Sequence, residues 1–405
     1  MSSSILHEQE LSKGAQFNGL RRWEAVKAAL LANFENPDTE AAQILFASVA
    51  AHRITRHPPV WAMLIAPSGS MKTALLDTLQ NLQSVHFVDE VTQNTFISGK
   101  LDERGTKRQT PASLLHRIGK QGILVVADFS TVLGMDNRKK PAVLAQFRRI
   151  YDGNFSREFG TGENLDEHRW EGRITVLAGV TPEFDRHHSV FQSLGERFIR
   201  IRWPRAGGVE AGLRAMRQQT SAATGIRSAV HDFLLPVLSQ ATIPAPRIGD
   251  ANEVRLANLG ELIARARAYV PRTREYHEII DEPETEGNTR LPQQLAQIGR
   301  GWAALEGSET VTEAGMELIC RVAFDCMPPL RHAVLKALVR RENPYALELP
   351  SSPVNRAVEE LQAVGLVTKD SRKAELSDLA AQLLERAKIT FPQSGVDTDG
   401  IGVVL

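Results

Sequence analysis

Ala66-Pro67-Ser68-Gly69-Ser70-Met71-Lys72-Thr73 is the stretch whose reading decides the fold of this chain. It follows an apolar run, Val60-Trp61-Ala62-Met63-Leu64-Ile65, and precedes Ala74-Leu75-Leu76-Asp77-Thr78-Leu79, whose apolar residues fall at helical spacing. Strand, small-residue loop, Lys-Thr and helix form the layout of a phosphate-binding loop, in which backbone N–H groups and a helix start face an anion. Pro67, Ser68, Gly69, Ser70, Met71, Lys72 and Thr73 are the residues expected to cradle the phosphates. Lys72 would reach the β and γ oxygens of ATP, and the Thr73 hydroxyl would ligate Mg²⁺. The pattern G-x-x-x-x-G-K-[ST] wants glycine where Ala66 and Met71 stand. Glycine matters there only if φ is positive or the backbone must approach closely, and a Met held at positive φ costs about 1–2 kcal/mol.

Working outward, strands are expected near 60–66, 84–89, 122–128, 173–179 and 197–202, with helical patterns between several of them. Near-continuous apolar strands alternating with helices imply an α/β fold with a parallel sheet. Ile123-Leu124-Val125-Val126-Ala127-Asp128 reads as a buried strand ending in a carboxylate, which suits a Walker-B strand whose Asp128 holds Mg²⁺ through water. Phe129 follows, where an acid usually polarises the attacking water, so the hydrolytic base is unassigned. Glu90, after the neighbouring run ending Val88-Asp89, is the outside candidate. The strand Ile174–Val180 leads to Thr181-Pro182; the Thr181 hydroxyl either touches the γ-phosphate or its water, or caps the helix after Pro182. In Leu194-Gly195-Glu196-Arg197-Phe198-Ile199, Arg197 precedes a strand and could reach a neighbouring subunit as an arginine finger; the plainer reading is a surface salt bridge.

Taken in this order, these features resemble the AAA+ ATPases: Walker A, Walker B, a sensor-1 strand, an arginine-finger position and a helical lid. The phrases Asp128-Phe129-Ser130-Thr131-Val132-Leu133, Ile150-Tyr151-Asp152-Gly153 and Phe159-Gly160-Thr161-Gly162 resemble a helicase-like group of bacterial and phage AAA-type proteins. Thr289-Arg290-Leu291-Pro292-Gln293-Gln294-Leu295 is similar to the sensor-2 helix of MCM-type helicases, which implies Arg290 toward the γ-phosphate; a capping or solvent-facing Arg is the alternative. The resemblance implies a P-loop NTPase core, ATP and Mg²⁺ as ligands, and assembly into a homo-oligomer, in its fullest form a hexameric ring. Ala66, Met71 and Phe129 depart from the family pattern, and the departures bear on turnover more than on binding.

The rest of the chain frames that core. The expected divisions are an N-terminal helical segment 1–56, the ATPase core 57–204, a helical lid 205–327, a small domain 328–390 and a flexible tail 391–405. Within the first of these, 1–20 reads as loosely ordered and 21–56 as two helices. The polar, basic stretch 96–112 reads as a loop. In the small domain, two helices, a strand, a Lys369–Lys373 turn, a return strand and a last helix resemble a winged helix-turn-helix. Ser352, Asn355 and Arg356 would face the major groove of DNA, and Lys369, Arg372 and Lys373 would lie on phosphates. Glu359 and Glu360 on the same helix would oppose that contact, and a winged helix used for protein contacts is the alternative. Arg138-Lys139-Lys140 with Arg148 and Arg149 reads as a solvated helix face before a nucleic-acid channel. His187 and His188 have no third metal ligand nearby.

Basic and acidic residues balance at 48 each, which argues against a protein coated by nucleic acid through bulk charge. The two cysteines, Cys320 and Cys326, read as buried thiols of a reducing cytoplasm. No leader pattern and no run near the ~20 apolar residues of a membrane span is present. Two main function classes follow, ahead of a third, enzyme-free scaffold with a dead site. One is a DNA-acting, ATP-hydrolysing motor or loader for replication of a mobile element or phage. The other is a nucleotide-gated DNA-binding regulator with little turnover.

Overall fold

The computed structural model describes residues 2–97, 113–159, 166–186, 196–204, 209, 212–213, 216, 221–273, 278–370, 373–391 and 402–403. The chain divides into two compact units. One comprises Met1–Ala245 with Ala304–Ser308, and the other Pro246–Ala303 with Glu309–Leu405. The helices expected as a separate lid are therefore shared out. Those from Asp250 onward pack with the C-terminal elements, and Ser221–Leu238 stays with the first unit.

The first unit opens with α1 (Ser2–Asn33) and α2 (Thr39–Ala50). Helix α1 thus includes most of the stretch expected to be loose. Asp38 starts α2 by accepting from the Ala41 N–H at 2.9 Å. Strand β1 (Trp61–Ile65), α3 (Lys72–Asp77), β2 (Val85–Val88), α4 (Leu114–Ile118), β3 (Gln121–Val126), α5 (Ser130–Leu133) and α6 (Lys140–Tyr151) follow. A hairpin of β4 (Asn154–Phe159) and β5 (Asp166–Glu171) comes next, then β6 (Arg173–Val180), β7 (Phe198–Arg202) and α7 (Ser221–Leu238).

Five strands form one sheet in the order β2-β3-β6-β1-β7, and every pair is parallel. β6 thus lies between β1 and β3, although it follows both in sequence. Both faces are covered, as a parallel sheet requires. Trp61, Met63, Val126, Val176 and Phe198 point to one face, where they pack with Phe129, Phe147 and Ile150. The Trp61 ring meets Phe147, Tyr151 and Phe198 at centroid distances of 5.8, 5.2 and 4.9 Å. Helices α2 and α3 lie on the other face.

At the amino edge of the sheet, Arg173 donates to the carbonyls of His52 (2.7 Å), His57 (3.1 Å), Pro58 (3.2 Å) and Ala51 (3.4 Å). This guanidinium closes the turn that joins α2 to β1. Its burial pulls its pKa down to about 10. His52 is fully buried beside it, with Nδ1 3.3 Å from the Thr175 hydroxyl. Burial first, then the charges of Arg173 and Arg53, lower the His52 pKa to about 3, so the ring is neutral. One further contact shapes this unit. A Cβ on Gly19 of α1 would lie 2.4 Å from the Leu305 carbonyl oxygen and 2.5 Å from that of Glu306.

The second unit contains α8 (Asp250–Arg267), all but the last turn of α9 (Arg290–Glu306), α10 (Glu313–Asp325), α11 (Pro329–Val339) and α12 (Ser351–Ala363). Strands β8 (Val367–Asp370) and β9 (Lys373–Leu376) pair as an antiparallel ribbon, and α13 (Asp378–Arg386) follows. Thr312 and Ser377 cap α10 and α13 by accepting from Gly315 and Ala380. Strand β10 (Ile389–Thr390) pairs with β11 (Gly402–Val403), so the tail expected to fray holds a short strand among its described residues. No described helix is long and apolar enough to cross a membrane.

Candidate phosphate-binding site

The loop after β1 stands at the carboxyl edge of the sheet. The Ala66 N–H donates to the Val180 carbonyl at 3.0 Å, which extends the β1–β6 pairing by one residue and buries Ala66 completely. Gly69 has φ +75°, and it alone in this fully described loop lies in the left-handed region. Met71 has φ −62° and ψ 7° as it enters α3. The strain anticipated for a Met at a glycine position is therefore absent. The N–H groups of Ser70 and Lys72 turn back onto the Pro67 and Ser70 carbonyls at 3.2 and 2.7 Å, and the Ser70 hydroxyl also donates to the Pro67 carbonyl. The N–H groups of Ser68, Gly69, Met71 and Thr73 have no acceptor among the described residues. Helix α3 is only six residues long, so these donors and Lys72, rather than a long helix dipole, supply the pull on an anion.

Lys72 is 8% exposed. Its stem crosses β6 at Gly179: a Cβ built there would meet Lys72 Cδ and Leu76 Cδ1 at 3.2 Å and the Ala127 carbonyl oxygen at 2.5 Å. Burial lowers the Lys72 pKa, and the charge of Asp128 opposes that shift. Asp128, two residues past β3, is exposed. One of its oxygens accepts from the Ser130 N–H at 2.9 Å. Thr73 is exposed as well. A hydroxyl and a carboxylate open to solvent are hard oxygen donors of the kind Mg²⁺ takes while keeping several waters. Among the described residues no cluster of three or more His, Cys, Asp or Glu forms a further metal site.

Phe129 is wholly buried, with ring centroids 5.4 Å from Phe147 and 5.9 Å from Phe198. Its N–H donates to the Gly179 carbonyl at 2.8 Å. The side chain at this position points into the core rather than along the carboxyl edge. Asp89 and Glu90 follow β2, the edge strand beside β3, and are exposed at its carboxyl end. Thr181 follows β6; its carbonyl accepts from the Phe184 N–H at 3.0 Å, and its hydroxyl caps no described helix.

Arg197 differs from a side chain projecting to a neighbour. It is 9% exposed, donates to both Asp152 oxygens at 3.0 and 3.1 Å, and lies 5.4 Å from the Tyr151 ring centroid. Glu196 before it has φ +50° and accepts from Arg200. Arg290 is the first residue of α9 and belongs to the second unit.

In the second unit Ser352, Asn355 and Arg356 are exposed on α12. Glu359 and Glu360 do not stand as bare negative charges there. Arg272 meets them at 3.2 and 3.3 Å, and Arg331 and Arg356 reach Glu360 at 2.9 and 3.0 Å. Burial acts to raise the Glu360 pKa, and Arg331 and Arg356 together hold it below its ordinary value. Lys369 is half-buried and Lys373 pairs with Glu375 at 2.7 Å. Arg372, His187, His188, most of the stretch 96–112 expected to be a loop, and residues 160–165 lie outside the described residues. Lys139 and Arg149 are exposed and Arg148 half-exposed on α6 and its entry.

No family model matches this chain, and no curated protein does. What can be argued about the site therefore rests on its residues. Sequence reasoning overlooked Gly179, although a glycine inside an apolar strand signals close approach of another group.

Proposed function

We propose that the first unit is a P-loop nucleoside-triphosphatase core of the AAA+ type, which binds ATP with Mg²⁺. The observation that carries this reading is Lys72: it heads the helix after a Gly69 turn and crosses Gly179 within the field of Asp128. The sheet topology supports it. The connections leaving β1 and β6 run to opposite edges of the sheet, and in open α/β sheets ligands bind outside the carboxyl ends of strands where connections diverge. The residues present fit the ion: Thr73 and Asp128 would hold Mg²⁺. When bound, that ion would neutralise charge developing on the phosphates. Lys72 would bind the β and γ oxygens, and the unpaired N–H groups of Ser68, Gly69, Met71 and Thr73 would orient the phosphates. Thr181, at the end of the strand between Lys72 and Asp128, would touch the γ-phosphate or its water.

The protein would act on DNA through the second unit. There α11, α12 and the β8–β9 ribbon have the order of a winged helix-turn-helix, with Ser352, Asn355 and Arg356 on the outer face of α12. Neutralisation of Glu359 and Glu360 removes the repulsion that would oppose a phosphate backbone. In a homo-oligomer, Arg197 could serve a neighbouring site only by leaving Asp152, and Arg290 would act as the sensor of the γ-phosphate. The motor or loader reading needs those two arginines. The burial of Phe129 favours the second reading, a nucleotide-gated DNA-binding regulator with slow turnover, because no acid replaces Phe129 beside Asp128.

ATP binding and turnover, measured with and without single- and double-stranded DNA, test the proposal. Lys72→Ala should weaken ATP binding on the order of a hundredfold, about 2.7 kcal/mol. DNA-stimulated turnover lost in that variant supports the motor. Tight binding without turnover supports the regulator. Failure of the unaltered protein to bind ATP overturns both.

A further inference from the structure

We infer that Gly179 is a positioning residue for Lys72: its missing side chain is the groove over which the lysine stem passes between β1 and β3. The inference deepens the nucleotide-site reading and rests on it for its functional consequence. Three features converge on Gly179. Strand β6 is sandwiched between β1 and β3, so a chain crossing from the loop after β1 toward the end of β3 must pass over β6. Gly179 stands in register with Leu64 of β1, one pair before the register ends at Ile65 and Val180. A Cβ there would press on Lys72 Cδ and Leu76 Cδ1 at 3.2 Å and on the Ala127 oxygen at 2.5 Å. The backbone oxygen cannot swing away as a side-chain tip can, so an added methyl would part the ends of β3 and β6 and push the lysine stem outward together.

This also accounts for the unusual loop. A phosphate loop needs room for backbone and lysine to approach the anion. Here Ala66 and Met71 sit at ordinary φ; Gly69 supplies the loop's one left-handed turn, and Gly179 on the adjacent strand supplies the room for the lysine stem. Gly179 touches neither substrate nor ion in this account; it acts through Lys72.

The molecule contains its own control. Gly172 lies at the opposite end of the same β3–β6 pair, and a Cβ there would meet the Lys120 carbonyl oxygen at 2.5 Å and the Trp170 ring at 2.5 Å. Gly172→Ala therefore imposes a comparable backbone clash far from Lys72. Two measurements on the full chain separate positioning from mere strand packing. First, ATP affinity should fall about tenfold or more in Gly179→Ala and stay within about twofold in Gly172→Ala. Second, thermal unfolding in a double-mutant cycle reads the contact without nucleotide. Gly179→Ala should lower the midpoint less in a Lys72→Ala background than in the unaltered protein, whereas Gly172→Ala should lower it equally in both. Rescue of folding by Lys72→Ala, should Gly179→Ala alone not fold, is the same result in stronger form. Equal effects of Gly179→Ala in both backgrounds, or failure to fold in both, overturn the inference. If the unaltered protein binds no ATP, the function proposed above falls and the cycle alone decides on Gly179.

Discussion

At the amino edge of the central sheet two strong side-chain donors are turned inward onto the fold: Arg173 reaches four backbone carbonyls and the Trp170 indole N–H reaches the Gly119 carbonyl at 2.7 Å. At the carboxyl edge Ser68, Gly69, Met71 and Thr73 carry N–H groups without a described acceptor, and Thr73, Asp128 and Glu90 face solvent. The two edges belong to the same strands and differ in purpose. Saturated polar groups around a buried cation hold a fold together, because leaving buried carbonyls unpaired is costly. Donors open to water beside a buried lysine add little to packing and are available to an anion that arrives from solution.

That contrast can be broken from either side. The largest effect should come from the amino edge: Arg173→Ala removes a shared donor from four carbonyls and should cost about 3 kcal/mol of stability in urea unfolding. ATP affinity of the folded variant should not change. A large loss of affinity with stability intact would erase the division between the edges. A smaller effect follows from His52, whose folded pKa of about 3 lies below its ordinary 6.5. Between these values the unfolded chain binds a proton that the folded chain does not. The His52 contribution is thus intact above pH 6.5 and is lost as pH falls, by about 1.4 kcal/mol per pH unit. Stability measured at pH 7, 6 and 5 should fall less steeply in His52→Gln, by about that slope. The smallest effect sharpens the reading of the carboxyl edge. Met71→Gly restores the motif, yet Met71 has no left-handed strain to relieve, so ATP affinity should stay within about twofold and stability within a few tenths of a kcal/mol. A large gain in affinity would mean that Met71 obstructs the loop.

Much of the sheet was legible in sequence because its strands are short, nearly unbroken apolar runs; all five fall within two residues of the expected spans. The β4–β5 hairpin was not, since Asn154-Phe155-Ser156-Arg157-Glu158-Phe159 and its partner strand carry few apolar residues and their pairing is an interaction with each other. Helix α1 extends through polar residues with no apolar period to announce it. Lys72, Thr73 and Asp128 could be named from local pattern alone. The role of Gly179 could not be completed, because it depends on β6 lying between β1 and β3, and strand order is not written in any one segment. Arg197 was readable as a charged residue before a strand, but its Asp152 partner lies a whole hairpin and strand away.

Helix α9 carries a last consequence. Its final turn, with the residues through Ser308, belongs to the first unit, where Leu305 and Glu306 lie against Gly19. The first unit is therefore not a contiguous gene segment. A cut after Ala245 would discard part of that unit's own packing, and so would any shuffling event that moved residues 1–245 as a cassette. Any side chain larger than hydrogen at position 19 would press on the Leu305 and Glu306 carbonyls and loosen the packing of the segment that completes the first unit.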